Sequence, residues 1–295
     1  MDFKQLDECR LCPRNCKVNR NKGEIGFCRA GKNVKIALAS LHYFEEPCIS
    51  GEKGSGTVFF TGCNLKCVFC QNYKLSQEYQ GEEIEDLSKV FIDLQEKGAN
   101  NINLVTGFMY VPHIIDAVKK AKENGLKIPI VYNSSGYESA KTIKMLDGII
   151  DVYLPDLKYS DNDVSNKLSN AENYFEIAKE AIKEMYRQVG APRFNEKTGM
   201  IEKGLIIRHL VLPNRLDNSK KVLKWIKENI DKNVYVSVMA QYFPTYKAKE
   251  IEEYKLNRKL TQEEYDEIEQ YVFDLDINGY IQDLEDDEEK YVPDF

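Results

Sequence analysis

The sequence predicts an α/β fold built on a parallel sheet, and two observations support that prediction. Six strand-like runs, rich in β-branched and aromatic residues, alternate along the chain with segments of helical periodicity. Such alternation is typical of repeated βαβ units, whose right-handed crossovers leave either an open doubly wound sheet or a barrel, whole or partial. The length of 295 residues suits two domains or a single α/β barrel of about 250 residues.

The strand-like runs have clear positions along the chain. They are 57–61, 101–105, 128–133, 151–154, 205–210 and Tyr235–Met239. Helical periodicity is clearest over Tyr174–Val189, where apolar residues recur at the spacing of a core-facing helix. It also covers 87–97, 111–124, 216–230 and 261–278, and Gly279 is predicted to end the last of these helices. Functional residues are expected directly after the runs, because α/β sheets and barrels place their chemistry at the carboxyl ends of the strands.

Composition and charge exclude several classes of protein. A hydrophobic content of 42% and a charged content of 30% describe an ordinary globular protein. Seven acids against one base in residues 283–295 account for most of the net charge of −7, which predicts a solvated acidic tail. The near-neutral remainder offers no basic face for nucleic acid. No run reaches the roughly 18 apolar residues of a membrane span, and no signal-like stretch begins the chain, so a cytoplasmic location is expected.

The cysteines are unevenly placed, since all eight lie between Cys9 and Cys70. Clustered cysteines in a reducing compartment are more often metal ligands than disulfides. Cys63, Cys67 and Cys70 have the spacing C-x3-C-x2-C in the loop after the first run; we call this the three-cysteine loop. Structural zinc takes four protein ligands, whereas three ligands suit a cubane iron–sulfur cluster with one iron open to an exogenous chelator. Buried thiols, or zinc with a distant fourth ligand, are the alternatives.

A second set of cysteines comes earlier in the chain. Cys9, Cys12, Cys16 and Cys28 have the spacing C-x2-C-x3-C-x11-C, and we call them the N-terminal cysteine group. They predict a second metal site, and an auxiliary iron–sulfur centre is one of its possible occupants. Zinc or a rubredoxin-like iron is favoured, because the spacing differs from that of bacterial ferredoxins. Cys48 is left over as a core thiol or an alternative ligand. The chain thus divides into a cysteine-rich metal-binding segment (1–50), a barrel (51–282) and the acidic tail (283–295).

The three-cysteine loop, led by a glycine and placed after a first strand, resembles the signature of the radical S-adenosylmethionine (SAM) enzymes. Further stretches resemble one branch of that family, the pyruvate formate-lyase activating enzyme-like proteins. These stretches are EEPCISG (45–51), GSGTVFF (54–60), VYNSSGY (131–137), LPDLKY (154–159), RQVG (187–190), RHLVLP (208–213) and MAQYFP (239–244). The resemblance spans about residues 9 to 279 and therefore nearly the whole chain.

The resemblance implies a fold and a chemistry. The fold is a partial (β/α)6 barrel of the radical-SAM type with a cysteine-rich N-terminal extension. The implied cofactors are a [4Fe-4S] cluster on the three-cysteine loop and SAM, whose amine and carboxylate chelate the open iron. Reductive cleavage of SAM then gives a 5′-deoxyadenosyl radical, which abstracts hydrogen from a substrate. Flavodoxin or ferredoxin is the implied electron donor.

The implied substrate is a glycyl residue of a partner enzyme, as in glycyl-radical-enzyme activation. Another peptide or a small molecule is the alternative within the same chemistry. Two other classes of function compete with it: a zinc-ribbon binding module without catalysis, and a plain electron-transfer iron–sulfur protein. The near-neutral body argues against the first, and the lack of a fourth cysteine in the three-cysteine loop argues against the second.

Seven residues are candidate contacts of the bound cofactor. They are Phe69, Asn72, Thr106, Asn133, Asp156, Lys158 and Arg208. Phe69 corresponds to a family position against the adenine, or else packs on the core, and Asn72 lies near the cofactor or caps the next helix. Asn133, at the end of a strand-like run, is within predicted reach of the ribose hydroxyls.

Asp156 and Lys158 lie two residues apart, on one face of a strand end. They resemble the family motif for the methionine end of SAM, with Lys158 opposing the SAM carboxylate; a solvated ion pair is the alternative. Arg208 is the other candidate partner of that carboxylate, since a guanidinium matches it bidentately. His209 follows on the opposite face of its strand, so a structural, helix-facing role is expected for it.

One stretch departs from the family pattern. After the second strand, activating enzymes carry a Gly-Gly-Glu run and the closer branch Thr-Pro-x-His, whereas this chain has VTGFMY (105–110). Thr106 keeps a hydroxyl, and we expect backbone carbonyls there to receive the SAM amine. Met109 and Tyr110 are predicted to be altered substrate contacts.

Overall fold

A computed structural model describes residues 3–252 and 254–284. Its strands are β1 (Val34–His42), β2 (Ser55–Phe60), β3 (Glu82–Ile84), β4 (Ile102–Val105), β5 (Ile130–Ser134), β6 (Val152–Pro155), β7 (Arg193–Phe194), β8 (Ile201–Leu210), β9 (Tyr235–Met239) and β10 (Asn278–Ile281). Its α-helices are α1 (Pro47–Ser50), α2 (Tyr73–Ser76), α3 (Leu87–Glu96), α4 (Val111–Glu123), α5 (Ala140–Met145), α6 (Asn162–Ser169), α7 (Tyr174–Val189), α8 (Leu216–Asn229) and α9 (Gln262–Asp274).

The strands form one sheet in the order β10-β9-β8-β6-β5-β4-β2-β1-β3, and β7 pairs with β8. The strands β2, β4, β5, β6, β8 and β9 pair in parallel, and β10 continues the parallel run beside β9. β1 and β3 are antiparallel and complete the other edge. The sheet does not close, so the architecture is a partial (β/α)6 barrel, as the resemblance implied.

The predicted elements agree well with the observed ones in the centre of the chain. β9 and α7 agree at both ends, and the apolar stripe of α7 is buried against the sheet, including Tyr174, Ala178 and Met185. The last helix differs: α9 ends at Asp274, and Gly279 lies inside β10. Gly279 has a φ of +141°, and a Cβ there would stand 1.9 Å from the Val236 carbonyl oxygen. This glycine allows β10 to approach β9 and is not a helix stop, so the prediction was wrong there.

The interior of the barrel is filled by a segment that precedes it. The helix α1 inserts Cys48 and Ile49 among Val131, Val152 and Leu154, whose side chains point inward from β5 and β6. Cys48 is therefore a core thiol. The asparagine side chains of residues 100 and 101 donate to the carbonyl oxygens of Ser50 and Ile49 and hold α1 in place. Because α1 fills the interior, the open space of the barrel lies at the carboxyl ends of the strands.

The two ends of the chain relate differently to the segments that the sequence predicted. β1 and α1 fall within residues 1–50, which the sequence assigned to the metal-binding segment, yet they pack into the sheet and the barrel interior. Most of the predicted acidic tail, residues 285–295, lies outside the described residues. Among the helices of the described chain, none is both long and apolar enough to cross a membrane.

Candidate active site at the carboxyl end of the barrel

A cavity of about 560 Å³ opens at the carboxyl ends of the parallel strands. The three-cysteine loop and all seven candidate cofactor contacts line it together. These residues are Cys63, Cys67, Cys70, Phe69, Asn72, Thr106, Asn133, Asp156, Lys158 and Arg208. They come from five stretches of chain that are distant in sequence, and parallel strand order is what brings them to one edge of the sheet.

The three-cysteine loop follows β2 and turns its thiols toward this cavity. Each sulfur has a hydrogen-bond partner. The partners are the Leu65 N–H with Cys63 (3.4 Å), the Ser169 hydroxyl with Cys67 (2.9 Å) and the Ser76 hydroxyl with Cys70 (3.2 Å). The loop backbone is fixed as well, because the N–H groups of Lys66 and Val68 donate to the end of α6. Such hydrogen bonds orient thiolate ligands and tune the centre that they hold.

The donor set fits an iron–sulfur cluster better than a single ion. Burial raises the pKa of all three thiols, that of Cys70 to about 11, so a bound metal centre must supply the positive charge that stabilises them as thiolates. Within the described residues, no three Cys, His, Asp or Glu side chains are gathered closely enough to enclose one metal ion. A cubane keeps its ligands apart by its own width, and the adjoining cavity leaves room for a further chelator.

The floor of the cavity is a network of buried charges around Arg208, which we call the polar floor. Arg208 donates from Nε to Asp156 (2.8 Å), from Nη1 to Glu45 (3.2 Å) and from Nη2 to the Asn133 side-chain oxygen (2.7 Å). The ammonium of Lys158 pairs with the second oxygen of Asp156. Asp156 therefore links the two cations that were predicted to oppose the carboxylate of SAM.

The charge states of the polar floor follow from these contacts. Burial would raise the pKa of Asp156, but Arg208 and Lys158 hold it below its usual value. Burial would lower the pKa values of both cations, and Asp156 keeps them raised instead. Glu45 behaves differently, since its burial outweighs Arg208 and raises its pKa. An ionised Asp156 between two cations leaves positive charge available to an anionic group in the cavity.

Comparison with known proteins identifies the family. A family model described as the Radical SAM superfamily matches residues 57–201, which include the three-cysteine loop, Asp156 and Lys158. The chain belongs to the radical SAM superfamily. Membership of this superfamily implies a [4Fe-4S] cluster and SAM as cofactors.

Three individual proteins show the range of similarity to this chain. The uncharacterised protein MJ0674 of Methanocaldococcus jannaschii is 36% identical over 281 residues, which cover 90% of this chain and 76% of that protein. A domain of a pyruvate-formate lyase-activating enzyme from Bacteroides vulgatus is 14% identical with a TM-score of 0.41, covering 59% of this chain and 93% of that one. A radical SAM methyltransferase from Sphaerobacter thermophilus is 15% identical with a TM-score of 0.49, and the match covers 77% of this chain and 66% of that one.

Two acids of this radical SAM protein were missed as site residues. Glu45 and Glu46 stand in the EEPCISG stretch before α1, and both line the cavity. Glu45 accepts hydrogen bonds from the side chains of Asn103 (2.9 Å) and Asn133 (3.3 Å). Glu46 is 8% exposed, and its Oε2 has no hydrogen-bond partner among the described residues. The sequence offered one signal for these residues, since two adjacent glutamates stand among apolar residues. Their position in the cavity depends on the packing of α1 inside the barrel, which the sequence pattern does not show.

Asn133 and Thr106 have positions that the sequence did not indicate. Both ends of the Asn133 amide are engaged by Glu45 and Arg208, so Asn133 helps to build the polar floor, and its contact with ribose stays a prediction. Thr106 has a φ of +60°, which is unusual for a β-branched residue, and its N–H donates to the Asn133 carbonyl (2.9 Å). Strained backbone of this kind clusters at binding sites.

Met109 and Tyr110 do not contact the cavity, so their prediction as substrate contacts was wrong. Both are buried, with 1% and 0% exposure. Met109 lines a second, small cavity beside the N-terminal cysteine group, and its carbonyl oxygen accepts a hydrogen bond from Arg20 (2.6 Å). The departure from the family pattern in this loop therefore coincides with its packing against the N-terminal segment.

Three further predictions concern side-chain direction. Phe69 lines the cavity and packs edge-to-face on Tyr242, with ring centroids 5.9 Å apart. Asn72 precedes α2, but its side chain forms no capping hydrogen bond, which leaves it to the cavity. His209 faces the helices, as expected: its nitrogens contact the Leu157 carbonyl (2.6 Å) and the Ser219 hydroxyl (2.8 Å), and burial lowers its pKa to about 4.

Proposed function

We propose that this radical SAM protein is an enzyme that binds a [4Fe-4S] cluster on Cys63, Cys67 and Cys70, binds SAM beside it, and abstracts a hydrogen atom from a substrate. One observation carries the proposal: three hydrogen-bonded thiols, without a fourth cysteine, share a cavity with a polar floor that holds two buried cations, Lys158 and Arg208. A zinc-ribbon module or a plain electron carrier has no use for such a cavity.

Different residues of the cavity are proposed to hold different parts of the cofactors. When bound, the cluster and SAM supply a carbon-centred radical that removes hydrogen. Lys158 and Arg208, both held by Asp156, oppose the SAM carboxylate, and the strained backbone at Thr106 presents carbonyl groups to its amine. Phe69 offers a ring face or edge to the adenine. The buried walls exclude water, which protects a radical from quenching by the wrong donor.

For the substrate we propose a peptide segment of a partner protein, with a glycyl residue as the hydrogen donor. The mouth of the cavity supports a macromolecular substrate. Tyr43 and Phe44, in the loop after β1, line it with 50% and 46% exposure. Exposed aromatic side chains are enriched where proteins bind other chains. A small-molecule substrate is the competing proposal.

SAM cleavage tests the proposed function. Anaerobically reconstituted protein with dithionite should convert SAM to 5′-deoxyadenosine, measured by chromatography. The Cys67→Ala variant should abolish this activity, and Cys48→Ala, which removes a buried thiol outside both cysteine sets, is the matched control that should retain it. Wild-type protein that binds about four iron atoms on the three-cysteine loop and forms no 5′-deoxyadenosine would contradict the proposal.

The substrate class can be tested separately with an isotope. Cells are grown on glycine deuterated at Cα, and their extract is divided by size into macromolecular and small-molecule fractions. We expect deuterium in 5′-deoxyadenosine only when the enzyme is incubated with the macromolecular fraction. Deuterium transfer from the small-molecule fraction alone would favour the competing substrate.

A further inference from the structure

We propose that Cys9, Cys12, Cys16 and Cys28 bind an iron–sulfur cluster, through which electrons from an acidic carrier protein reach the three-cysteine loop. The proposal rests on the proposed function for its second half, since the electrons serve SAM cleavage. The proposal also differs from the zinc or single iron that the spacing of these cysteines favours.

The first observation is the space between the four side chains. They line one cavity of about 10 Å³ together with Leu11, Val18, Phe108 and Met109. That volume is about the room that one water-sized sphere needs, whereas a zinc ion draws its thiolates to about 2.3 Å and leaves no such space. No three potential ligands in the described chain are close enough to enclose a single ion. None of the four thiols forms a disulfide. Four thiols on an apolar wall with space between them suit a cluster better than an ion.

The second observation is the buried cation beside these thiols. Arg20 is 1% exposed and lines the same cavity. Its hydrogen bonds go to carbonyl oxygens, two to Gly31 (2.9 and 2.6 Å) and one to Met109 (2.6 Å), and in the described chain no carboxylate pairs with it. A buried charge requires a partner of opposite sign. A cluster held by four thiolates is an anion and supplies that charge, whereas four protonated thiols do not.

The third observation is that the two cysteine sets are in direct contact through their backbones. The carbonyl oxygen of Cys28 lies against Gly62, the residue before Cys63, and a Cβ on Gly62 would stand 2.4 Å from it. Arg14, between Cys12 and Cys16 in sequence, donates to the carbonyl of Asn64 (2.9 Å) in the three-cysteine loop. Centres on the two sets would therefore lie on stretches of chain that touch each other, and such proximity is what an electron relay requires.

The fourth observation is the charge of the N-terminal surface. Residues 3–35 contain nine Lys and Arg against three Asp and Glu, in a protein whose net charge is −7. The near-neutral charge of the body as a whole therefore hides a local excess of bases, and the expectation that the body offers no basic face was wrong for this segment. Five of these bases are exposed in the segment that carries the N-terminal cysteine group, and Arg10 among them pairs with Glu8; they are Lys4, Arg10, Lys17, Lys22 and Arg29. Complementary charge steers and orients protein partners. An acidic one-electron carrier of the flavodoxin or ferredoxin class fits this surface.

The electron balance of the relay is simple. The carrier is oxidised by one electron, the N-terminal cluster is reduced and then oxidised again, and the centre on the three-cysteine loop gains the electron. No bond forms or breaks and no proton moves in these steps. The electron is consumed when SAM is cleaved.

Metal analysis tests the cluster without any activity assay. Wild-type protein should bind about eight iron atoms, and Cys63→Ser/Cys67→Ser/Cys70→Ser should keep about four, with equal sulfide and an electron paramagnetic resonance signal on reduction. Zinc at about one per chain, or loss of all iron in this triple variant, would overturn the proposal. This result stands even if SAM cleavage fails, so the failure of this cluster and the failure of the proposed function are distinguishable.

The relay is tested by comparing two electron sources. In Cys12→Ser/Cys16→Ser the ratio of flavodoxin-driven to dithionite-driven SAM cleavage should fall about tenfold or more, because dithionite reaches the second centre directly. An unchanged ratio would overturn the relay.

A surface variant provides a second test of the relay, because the cysteine variant removes a metal site and could unfold. Lys17→Glu/Lys22→Glu should raise the KM for flavodoxin about fivefold at low salt, and the control Lys197→Glu/Lys221→Glu, on exposed lysines elsewhere, should not. Equal KM values for both pairs would also contradict the docking surface.

Discussion

The two cysteine sets of this protein lie in contact but have opposite surroundings. The three-cysteine loop faces a cavity of about 560 Å³ with a floor of paired charges. The N-terminal cysteine group surrounds about 10 Å³ of apolar space beside Arg20, a buried cation that no carboxylate of the described chain pairs with. Metal sites with a full set of protein ligands are closed, and reactive sites keep an open position. The contrast teaches that ligand number and access together separate the proposed reactive centre from the proposed relay.

The largest expected effect on the free energy of unfolding comes from replacing a buried arginine, Arg208 beside the three-cysteine loop or Arg20 beside the N-terminal cysteine group. If both replacements have the same effect, the contrast between the two cysteine sets is wrong. In protein without iron, Arg208→Met should cost about 3–5 kcal/mol of unfolding free energy, because it leaves the Glu45 carboxylate buried without its cation and Asp156 with Lys158 alone. Arg20→Met leaves no buried carboxylate behind, so its cost should be smaller in iron-free protein and should grow when the cysteines are loaded. Urea denaturation with and without reconstituted iron measures both.

A matched control is available for the arginine comparison. Arg187 also pairs with two acids, Glu184 and Asp147, but its side chain is 55% exposed. Glu184 is buried but keeps a hydrogen bond from Gln188, so Arg187→Met should cost less than Arg208→Met, and its cost should not depend on iron. If the cost of Arg20→Met does not depend on iron, the anionic centre beside Arg20 is refuted.

The next effect sharpens the contact between the two sets. Gly62→Ala should cost about 2 kcal/mol more than Gly98→Ala. Both glycines have a left-handed φ, +100° and +91°, but a Cβ on Gly62 meets the Cys28 carbonyl oxygen and a Cβ on Gly98 meets nothing within 4 Å. Thermal unfolding of the two variants measures the difference. Equal losses would mean that the backbone contact between the sets is loose.

The smallest effect compares one histidine from each region. His113 contacts the Lys32 carbonyl (2.9 Å) beneath the N-terminal segment, His209 lies in the barrel, and burial lowers the pKa of each to about 4. Each is neutral when folded, whereas the unfolded residue binds a proton below about pH 6.5. The stability that each contributes is therefore complete above that pH and is lost as the pH falls toward 4.

Replacement by glutamine removes this titration. Between pH 7 and 5.5, wild-type protein should lose about 1 kcal/mol relative to His113→Gln, and the same relative to His209→Gln. Taking the difference removes the opposing contribution of buried carboxylates such as Glu138, whose pKa burial raises to about 7. Urea unfolding at several pH values measures the differences. A difference that stays constant with pH would contradict neutral buried imidazoles, and separate transitions for the two variants would show that the N-terminal segment opens on its own.

The parts of the fold that sequence reasoning predicted are those with strong local signals. Buried β-branched runs and the apolar stripe of Tyr174–Val189 give the six parallel strands and α7. The edge strands were missed: β3 is three residues long with two glutamates, and β10 contains a glycine that only its pairing with β9 explains. Pairing at an edge depends on the neighbouring strand, which a local pattern does not contain.

The same limit applies to the candidate site. The strand-end rule found Asn133, Asp156, Lys158 and Arg208, because strand ends are visible in sequence. It missed Glu45 and Glu46, which reach the cavity from a segment before the barrel. The strand-end rule also missed Ser76 and Ser169, whose hydroxyls contact thiols of the three-cysteine loop, because nothing in the residue pattern marks these serines.

The most direct test of the division between the two cysteine sets is the effect of SAM on each reduced centre. Electron paramagnetic resonance is recorded with and without SAM for Cys12→Ser/Cys16→Ser, which keeps the centre on the three-cysteine loop, and for Cys63→Ser/Cys67→Ser/Cys70→Ser, which keeps the N-terminal one. SAM should shift the spectrum of the first variant and leave that of the second unchanged. A shift in the second variant, or no shift in the first, would contradict the assignment of the reactive centre to Cys63, Cys67 and Cys70.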